Sequence, residues 1–294
     1  MHCKVQRVNR RNFLTVSTGA LAASVAPVAA YAKWVEPINL QVHQHQCRLP
    51  GLVSDRPIRL LHFSDLHASP DVPNSLIESA IGLALELKPD LVCLTGDFVT
   101  DRWGWNSDWY RRTLRRLTDR LPVYGTMGNH DGGWRPSRMN SSAIVRDMLR
   151  DAGLQLLHNR TVTEMGIELT GLGDLWGGEF RPDAAFPGGP RTKPRIVLSH
   201  NPDTKDQLIH QTWDLMLCGH THGGQIVIPV VGSPWAPVKD MRYLHGLKAW
   251  GPRQIHVTSG VGNARGVRFN CPPELVMLEL TGASLETIAA SDFL

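Results

Sequence analysis

The sequence predicts an α/β fold, because short apolar runs that suit buried strands alternate with longer segments whose apolar residues recur at helical spacing. The clearest apolar run covers residues 91–95 and leads directly into Gly96 and Asp97. A run of this length, bounded by turn residues, is typical of a strand that is buried on both faces of a sheet. The residue after such a strand lies at the carboxyl edge of the sheet, where α/β proteins bind ligands. We therefore expect Asp97 to lie in the functional site.

Four other apolar runs also end in residues that can bind metal ions. The run at 60–64 leads into Asp65 and His67, and the run at 123–127 leads into Asn129, His130 and Asp131. The run at 196–199 ends in His200, and the run at 215–218 leads into His220 and His222. A mixture of carboxylate, amide oxygen and imidazole suits Mn, Fe, Zn or a similar divalent ion. The candidate metal ligands are Asp65, His67, Asp97, Asn129, His200, His220 and His222. Since one tetrahedral site needs only four ligands, this set indicates more than one ion.

The first part of the body is predicted to contain a surface strand and a helix. Residues 40–45 alternate between apolar and polar types, which is typical of a strand with one solvated face. His43 and His45 share a face of this strand and are interpreted as surface residues rather than metal ligands. Asn74 is expected to cap a helix that runs to about Leu87, before a proline.

A segment rich in tryptophan and arginine, the Trp103–Arg116 surface, follows the Gly96-Asp97 tip and is expected to overhang the site. Its apolar residues recur at helical spacing from Tyr110 to Leu121, which predicts a surface helix that packs an apolar stripe on the sheet. The alternative is a surface that meets a membrane or a lipid-bearing substrate.

The second part of the body is predicted to be mostly strands. A helix is expected at 143–150, and a long loop rich in Gly, Pro and Phe at 177–194. Strands are expected within 154–172 and at 225–228, 254–258 and 274–280. No linker or internal repeat divides the body, so residues 33–294 are predicted to form one domain.

Residues 1–32 are predicted to be an export signal. The run from Asn9 to Leu14, with Arg10 and Arg11, resembles a twin-arginine signal, and a mildly apolar run follows. Ala30-Tyr31-Ala32 resembles a cleavage site, so the mature chain would begin near residue 33, in the periplasm or on the outer face of the inner membrane. The twin-arginine export machinery is then a partner. An uncleaved N-terminal anchor and an amphipathic helix of the fold are the alternatives.

Charge and cysteine content place few further limits on function. The chain has 31 basic and 27 acidic residues, a net charge of +4, and four of the basic residues lie in the first 32 positions, which hold no acid. The body is therefore balanced, which argues against a nucleic-acid-binding patch. Cys93 and Cys218 fall in predicted core strands. Cys47 and Cys271 would pair only if the fold brought them together in an oxidising compartment.

Taken in order, the motifs resemble those of the calcineurin-like metallophosphoesterases. They are Asp65-x-His67, Gly96-Asp97, Gly128-Asn129-His130-Asp131, His200 and Gly219-His220-x-His222. The resemblance covers residues 57 to 280. Residues 199–203, 219–225, 268–269 and 272–274 resemble more closely a branch of exported or membrane-associated bacterial phosphoesterases. That branch includes phosphodiesterases and hydrolases of UDP-2,3-diacylglucosamine.

The resemblance implies both the architecture and the ligand assignment. It implies a four-layer α/β/β/α sandwich, with two sheets face to face, helices outside and two divalent metal ions at one edge. Asp97 would bridge the ions, with Asp65, His67 and His222 on one, and Asn129, His200 and His220 on the other. A bridging hydroxide would attack phosphorus, and His130 would stabilise the phosphoryl charge or protonate the leaving oxygen. Asp131 would either orient His130 or stabilise a turn.

These features predict a two-metal phosphoesterase that hydrolyses a phosphodiester or pyrophosphate bond. One alternative is a UDP-2,3-diacylglucosamine-type hydrolase in which Trp103 and Trp105 contact acyl chains. The other is a non-catalytic envelope protein that binds lipid or a partner. Thr100 stands where the family's protein phosphatases have an acid, which argues against that activity. The remaining histidines are interpreted as core or surface residues. Arg265 and Arg268 could reach a phosphate, and Arg268 could equally be a structural ion-pair partner, so both are left out of the catalytic set.

Overall fold

Twelve strands form two six-stranded sheets that lie face to face in the computed structural model, which describes residues 26–100, 105–132, 141–186, 188, 191–263 and 265–282. The strands are β1 (Gln41–Leu49), β2 (Ile58–Phe63), β3 (Leu91–Thr95), β4 (Val123–Thr126), β5 (Gln155–Leu156), β6 (Arg160–Glu164), β7 (Ile167–Gly171), β8 (Arg195–Leu198), β9 (Leu215–Cys218), β10 (Gly246–Trp250), β11 (Arg253–Val257) and β12 (Glu274–Gly282). The first sheet has the order β1-β12-β2-β3-β4-β5, and the second has the order β10-β11-β9-β8-β7-β6.

Parallel pairing brings the carboxyl ends of the central strands to one edge of each sheet. In the first sheet β3 pairs in parallel with β2 and β4, and in the second β8 pairs in parallel with β7 and β9. The two edges meet, since the ring Nδ1 of His200, just after β8, lies 2.7 Å from the carbonyl oxygen of Thr95 at the end of β3. The predicted site residues therefore converge from both sheets.

Helices cover the outer faces of the sandwich. They are α1 (Asn74–Glu86), α2 (Ser107–Thr118), α3 (Asn129–Gly132), α4 (Ser141–Asp151) and α5 (Pro182–Ala185). The longer helices lie on the first sheet, whereas the second is covered by α5, short 3-10 helices at Pro202–Gln207 and Met241–Tyr243, and loops.

Alternating side chains place apolar residues on both faces of each central strand. On β3, Val92 and Leu94 pack against the helices, whereas Leu91 and Cys93 lie between the sheets. Strands β8 and β9 alternate in the same way, between the inter-sheet layer and the outer face of the second sheet. The predicted four-layer sandwich is confirmed, although its second outer layer consists of short helices and loops.

Some local predictions need correction. Helix α1 begins at Asn74, but Pro73 occupies the capping position and no side chain caps the helix. The segment 225–228 forms no strand and makes only isolated bridges, such as the one between Ile226 and Phe269. Strand β10 was not predicted, because only the antiparallel pairing with β11 makes its half-exposed residues a strand.

The described part of the Trp103–Arg116 surface packs on the protein itself. Tyr110, Leu114 and Leu117 are buried, as the helical spacing predicted. The indole N–H of Trp109 donates to Glu78 on α1 at 2.7 Å, and Trp105 packs against the same apolar cluster. Residue 103 lies outside the described ranges. The aromatic residues seen here therefore hold α2 in place.

The four cysteines of the described ranges are buried and unpaired. Cys47 lies between the sheets, and burial raises the pKa of its thiol to about 12. The thiol of Cys271 instead donates to the carbonyl oxygen of His222 at 3.1 Å. Among the described residues, no helix combines the length and the apolar character that a membrane span requires.

Candidate metal centre

The strand-end loops that carry the candidate ligands are bonded to one another through their backbones. The amide of Asp65 donates to the carbonyl of Gly96 at 2.9 Å, and the amide of His67 donates to the carbonyl of Asp97 at 3.0 Å. On the second sheet, the amide of Gly219 donates to the carbonyl of His200 at 3.0 Å. These bonds continue the parallel ladders beyond the strands and fix the spacing between the loops.

Five of the seven candidate ligands have left-handed backbone conformations. Their φ angles are 54° for Asp65, 47° for His67, 53° for Asp97, 70° for His220 and 51° for His222. Such angles are uncommon for residues other than glycine and cost roughly 1–3 kcal/mol each. The backbone strain is thus concentrated where the strand ends turn their side chains towards a common centre.

The first group of side chains consists of Asp65, His67 and His222, whose ligand atoms all lie within 4.8 Å of one another. The Nε2 atoms of His67 and His222 lie 3.8 and 3.6 Å from Oδ1 of Asp65. All three residues are buried. The group could hold one cation through a carboxylate oxygen and two imidazole nitrogens.

The second group consists of Asp97, His200 and His220, again with ligand atoms within 4.8 Å of one another. Oδ2 of Asp97 lies 3.1 Å from Nε2 of His200 and 3.5 Å from Nε2 of His67 in the first group. This oxygen therefore lies between the two groups. That position is the one the family resemblance implied for Asp97.

Asn129 begins α3, directly before His130, whose amide donates to Oδ1 of Asp97. Its side chain is buried, and its Oδ1 has no hydrogen-bond partner among the described residues. A buried acceptor without a partner is rare and calls for an explanation such as a bound ion. The seventh predicted ligand is thus a buried amide oxygen that is free to bind a cation.

Hydrogen bonds outside the ligand set fix two of the imidazole rings. Nδ1 of His200 donates to the carbonyl oxygen of Thr95, which leaves its Nε2 facing Oδ2 of Asp97 at 3.1 Å; the carboxylate of Asp97 raises the pKa of His200 well above its usual range. Nδ1 of His67 lies 3.0 Å from Oγ1 of Thr100. Partners of this kind orient metal-binding histidines and are a regular part of such sites. Thr100, which marked a departure from the protein phosphatases, therefore supports His67.

The ring nitrogen atoms of the candidate histidine ligands face one another in two close pairs. Nε2 of His67 lies 3.2 Å from Nε2 of His222, and Nδ1 of His220 lies 3.2 Å from Nε2 of His200. Burial lowers the pKa of His67 and of His220 to about 3, so both rings are neutral near pH 7. Burial also holds the pKa of His222 well below its usual range, so the facing Nε2 atoms of His67 and His222 belong to two neutral rings, between which a divalent ion could bind.

The two carboxylates differ in their electrostatic surroundings. Burial raises the pKa of Asp65 to about 6. Burial would also raise the pKa of Asp97, but the nearby His200 and His130 hold it well below its usual range. Asp97 is thus the more firmly ionised of the two, which suits an oxygen ligand placed between both groups.

Two glycines make room for this packing. A Cβ atom added to Gly128 would lie 2.6 Å from the backbone nitrogen of Asp97 and still closer to its Oδ1. A Cβ atom added to Gly96 would lie 2.6 Å from the backbone nitrogen of Gly128. The close approach of the β3 and β4 loops therefore requires glycine at both positions.

His130 and Asp131 have different surroundings, although they are neighbours in sequence. The half-buried ring of His130 lies edge-on to the ring of His67, with centroids 5.1 Å apart, at the rim of the ligand cluster. The buried carboxylate of Asp131 accepts hydrogen bonds from the amides of Gly128 at 2.9 Å and Val99 at 3.1 Å. Of the two roles considered for Asp131, these bonds match the structural turn carboxylate.

Beside the cluster lies an aromatic residue, Trp176, that was not among the predicted site residues. Trp176 is 42% exposed, and its ring lies edge-on to the ring of His220, with centroids 4.4 Å apart. Buried Asp174 holds this loop by accepting a hydrogen bond from the amide of Gly177 at 2.5 Å. The signal was present, because this loop directly follows the apolar strand β7, as the other site loops follow theirs.

Arg268 is fully buried and supports the site from behind. Its guanidinium donates to the carbonyl oxygens of Ser259 at 2.8 Å and Gly262 at 2.6 Å. The amide of Gly262 in turn donates to the carbonyl of Asp65 at 2.6 Å. Arg268 therefore organises the loop behind Asp65, through carbonyl oxygens of the backbone.

In the described ranges, the histidines outside the predicted ligand set do not join either metal-ligand group. His62 and His256 form a buried pair between the sheets, with their Nδ1 atoms 2.8 Å apart. The other ring nitrogen of His62 lies 2.9 Å from Oγ1 of Thr95. His245 binds the carboxylate of Glu274 at 2.9 Å.

Comparisons with known proteins match this geometry. A family model described as calcineurin-like phosphoesterase matches residues 58–224, a range that includes every candidate ligand. The phosphodiesterase YaeI of Escherichia coli (strain K12) is 40% identical over 278 residues, which are 93% of this chain and 99% of that protein. The UDP-2,3-diacylglucosamine pyrophosphatase LpxG of Chlamydia muridarum (strain MoPn / Nigg) is 26% identical over 316 residues, covering 90% of this chain and 96% of that protein.

Proposed function

Because the chain belongs to the calcineurin-like phosphoesterases, we propose that it is a two-metal hydrolase of a phosphodiester or pyrophosphate bond. The observation that carries this proposal is the pair of buried ligand groups that share Oδ2 of Asp97. The 40% identity to a phosphodiesterase over nearly the full length of both proteins supports the same bond type. Since the ligand set is complete and the family is one of hydrolases, the non-catalytic alternative is set aside.

Each residue of the site has a defined part in this proposal. Asp65, His67 and His222 hold one cation, and Asn129, His200 and His220 hold the other, with Asp97 shared. When bound, two divalent ions supply an activated water and offset the negative charge of a phosphoryl group. The ligand types suit Mn, Fe or Zn.

His130 is the residue that we assign to the substrate. Its backbone amide donates to Oδ1 of Asp97 at 2.9 Å, which fixes the start of α3. Its ring lies at the rim of the cluster and is half-buried, so it can reach a phosphoester oxygen from outside the ligand set. There it donates a hydrogen bond to the phosphoryl group or a proton to the leaving oxygen.

The proposal is tested with Asp97→Ala and with Asp108→Ala, a matched acid on the exposed face of α2. Asp97→Ala should lose bound metal and turnover of bis-p-nitrophenyl phosphate, because both ligand groups lose their shared oxygen. Asp108→Ala should keep both. Undiminished hydrolysis by Asp97→Ala would rule the mechanism out.

A lipid-linked pyrophosphate is the second candidate substrate class. The full-length similarity to LpxG supports it, and the exposed ring of Trp176 beside His220 offers an apolar contact at the site. Trp105 is less suited to contact acyl chains, since it packs on the core. Trp176→Ala should lower kcat/KM for UDP-2,3-diacylglucosamine more than for bis-p-nitrophenyl phosphate. An equal effect on both substrates would remove this role.

We also propose that the protein is exported through the twin-arginine machinery and works in the periplasm or on the outer face of the inner membrane. The motif around Arg10 and Arg11 supports this location. Replacing both arginines by lysine should leave the protein in the cytoplasmic fraction of fractionated cells. Unchanged export of that variant would contradict the proposal.

A further inference from the structure

Exposed apolar side chains are concentrated in two short segments of the described chain. Twelve of the seventeen large apolar residues that are exposed in the described ranges lie in segments 28–42 and 226–241, six in each. The most exposed are Trp34 at 69%, Val230 at 108%, and Val231 and Trp235 at 71% each. Contiguous apolar surface of this kind usually marks a site of interaction with a protein or a membrane.

In the first segment, an apolar face of a helical turn points away from the protein. Residues 31–38 form the helical turns Tyr31–Val35 and Glu36–Ile38. Ala32, Glu36 and Pro37 are buried against the body, whereas Tyr31, Trp34, Val35 and Ile38 are exposed. The first turn is π-helical and the second is a 3-10 turn, and four of their eight residues are exposed apolar side chains. A surface helix normally shows the opposite arrangement, with its apolar stripe inward.

In the second segment, a strained hairpin carries apolar residues at its tip. The backbones of Ile228 and Gly232 bond each other in both directions, at 2.9 and 2.8 Å, so residues 229–231 form the tip. Val230 has a φ angle of +70°, which is an outlier for a β-branched residue. A strained and fully exposed valine at a hairpin tip is unusual, and together with its exposed apolar neighbours it motivates a hypothesis of binding.

The two segments flank the same short stretch of backbone. The amide of Arg268 donates to the carbonyl of Ala32 at 2.9 Å on one side. On the other side, the amide of Phe269 donates to the carbonyl of Gln225 at 2.9 Å, and its carbonyl accepts from Val227 at 2.8 Å. Hydrogen-bonded neighbouring backbones lie about 4.8 Å apart. Because residues 268–269 lie between the two segments, the backbones of the segments are about 10 Å apart at this point. They therefore border a single surface.

This surface is also next to the metal centre. The thiol of Cys271, which follows the shared stretch, donates to the carbonyl of His222, a candidate ligand. The amide of Cys271 donates to the buried carboxylate of Glu36, which ties residues 31–38 to the same stretch. The apolar surface and the ligand cluster are thus both linked by hydrogen bonds to Cys271.

We propose that residues 31–38 and 226–235 form a docking surface for a lipid bilayer. Because the surface includes Tyr31 and Ala32, the proposal adopts the uncleaved-anchor alternative for residues 1–32, and a retained leader would join the body at this surface. Lys33 and Arg265 are exposed beside the apolar residues and complement anionic lipid head groups. Docking would hold the metal centre next to the membrane surface. Docking of this surface on a bilayer does not depend on which substrate the metal centre hydrolyses.

The test uses an environment-sensitive fluorophore attached to single cysteines of the full-length protein. Cys3→Ser provides the background, because the four described native cysteines are buried. Val230→Cys and Trp34→Cys report on the two segments, and Val53→Cys, whose native side chain is 92% exposed outside both segments, is the matched control. Hydrolysis of bis-p-nitrophenyl phosphate at the level of the background protein shows that each labelled protein is folded.

Vesicles of equal parts phosphatidylethanolamine and phosphatidylglycerol should raise the emission at positions 230 and 34 at least twofold and shift it to the blue, without change at position 53. Emission at 230 and 34 that stays like that at 53 would overturn the proposal. A blue shift without vesicles that grows with protein concentration would assign the surface to a second copy instead. A blue shift without vesicles at every concentration would assign it to the chain's own leader.

Discussion

The replacement Gly128→Ala tests whether the close approach of two loops positions the shared metal ligand. Gly128 does not have a left-handed backbone, so an alanine there introduces a steric effect without a conformational one. Its Cβ would lie 2.6 Å from the backbone nitrogen of Asp97 and even closer to Oδ1 of the same residue. The ordinary separation of such atoms is about 3.5 Å.

The expected magnitude follows from that overlap. Relief of the contact requires Asp97 to move by about 1 Å, since the separation must grow from 2.6 to about 3.5 Å. Metal–ligand distances tolerate only about 0.2 Å, and a displacement of about 1 Å in a catalytic site costs on the order of 100-fold in rate. Because Asp97 lies between both ligand groups, we expect kcat/KM to fall at least about 100-fold and the metal content to fall with it. Overpacking should lower the free energy of unfolding by about 1–3 kcal/mol.

The assay combines metal analysis of the purified protein with hydrolysis of bis-p-nitrophenyl phosphate. Gly82→Ala in the middle of α1 is the matched control, because its Cβ would meet only the end of the Arg116 side chain, at 3.9 Å. That variant should keep its metals and its turnover, with equal or slightly higher stability. A Gly128→Ala protein with full metal content and wild-type turnover would refute the role assigned to the loop contact.

Three further predictions concern residues behind the ligands. Thr100→Val should weaken metal binding about 10- to 100-fold, because His67 loses its hydrogen-bond partner, and Thr100→Ser should restore it; a metal titration checks both. Burial lowers the pKa of His62 to about 3, so the unfolded chain binds a proton below pH 6.5 that the folded chain does not, and stability falls as pH drops. His62→Phe should therefore reduce the pH slope of the free energy of unfolding by about 1.4 kcal/mol per pH unit between pH 6 and 4 in urea titrations, and an unchanged slope would contradict this assignment. Arg268→Met should lower the free energy of unfolding by at least about 3 kcal/mol, because several buried carbonyls lose a charged donor; a loss below about 1 kcal/mol would show that they find other partners.

Several features of the site depend on contacts between residues far apart in sequence. Thr100 supports His67, and the carbonyl of Thr95 orients the ring of His200, across 33 and 105 residues of chain. Neither partner carries a sequence pattern of its own, because a threonine at a strand end is common. Likewise, Arg268 could be a phosphate ligand or a structural residue until its burial among carbonyl oxygens was known.

The exposure of individual apolar side chains could also not be predicted from the sequence. The density of tryptophan and arginine made the Trp103–Arg116 surface a candidate for contact with a membrane or a lipid-bearing substrate. In the structure, Trp109 packs on α1 and Trp105 on the core, while Trp34 and Trp235 are exposed. Composition gives the number of aromatic side chains in a segment, but only packing determines which of them face solvent.

The sequence by itself determined most of the strands and the candidate ligand positions, since an apolar run followed by a carboxylate, an amide or an imidazole is a local pattern that repeats at Asp65, Asp97, Asn129 and His200. Parallel pairing then made it predictable that these positions share one edge. The family resemblance implied two ligand groups around Asp97, but only the tertiary structure gave the distances that place its Oδ2 between them, and decided which residues support the groups and which apolar side chains remain uncovered. The reason is physical: strand formation and its termination are governed by neighbouring residues, whereas burial, close backbone approach and hydrogen-bond partners are properties of loops that meet only after the two sheets have packed.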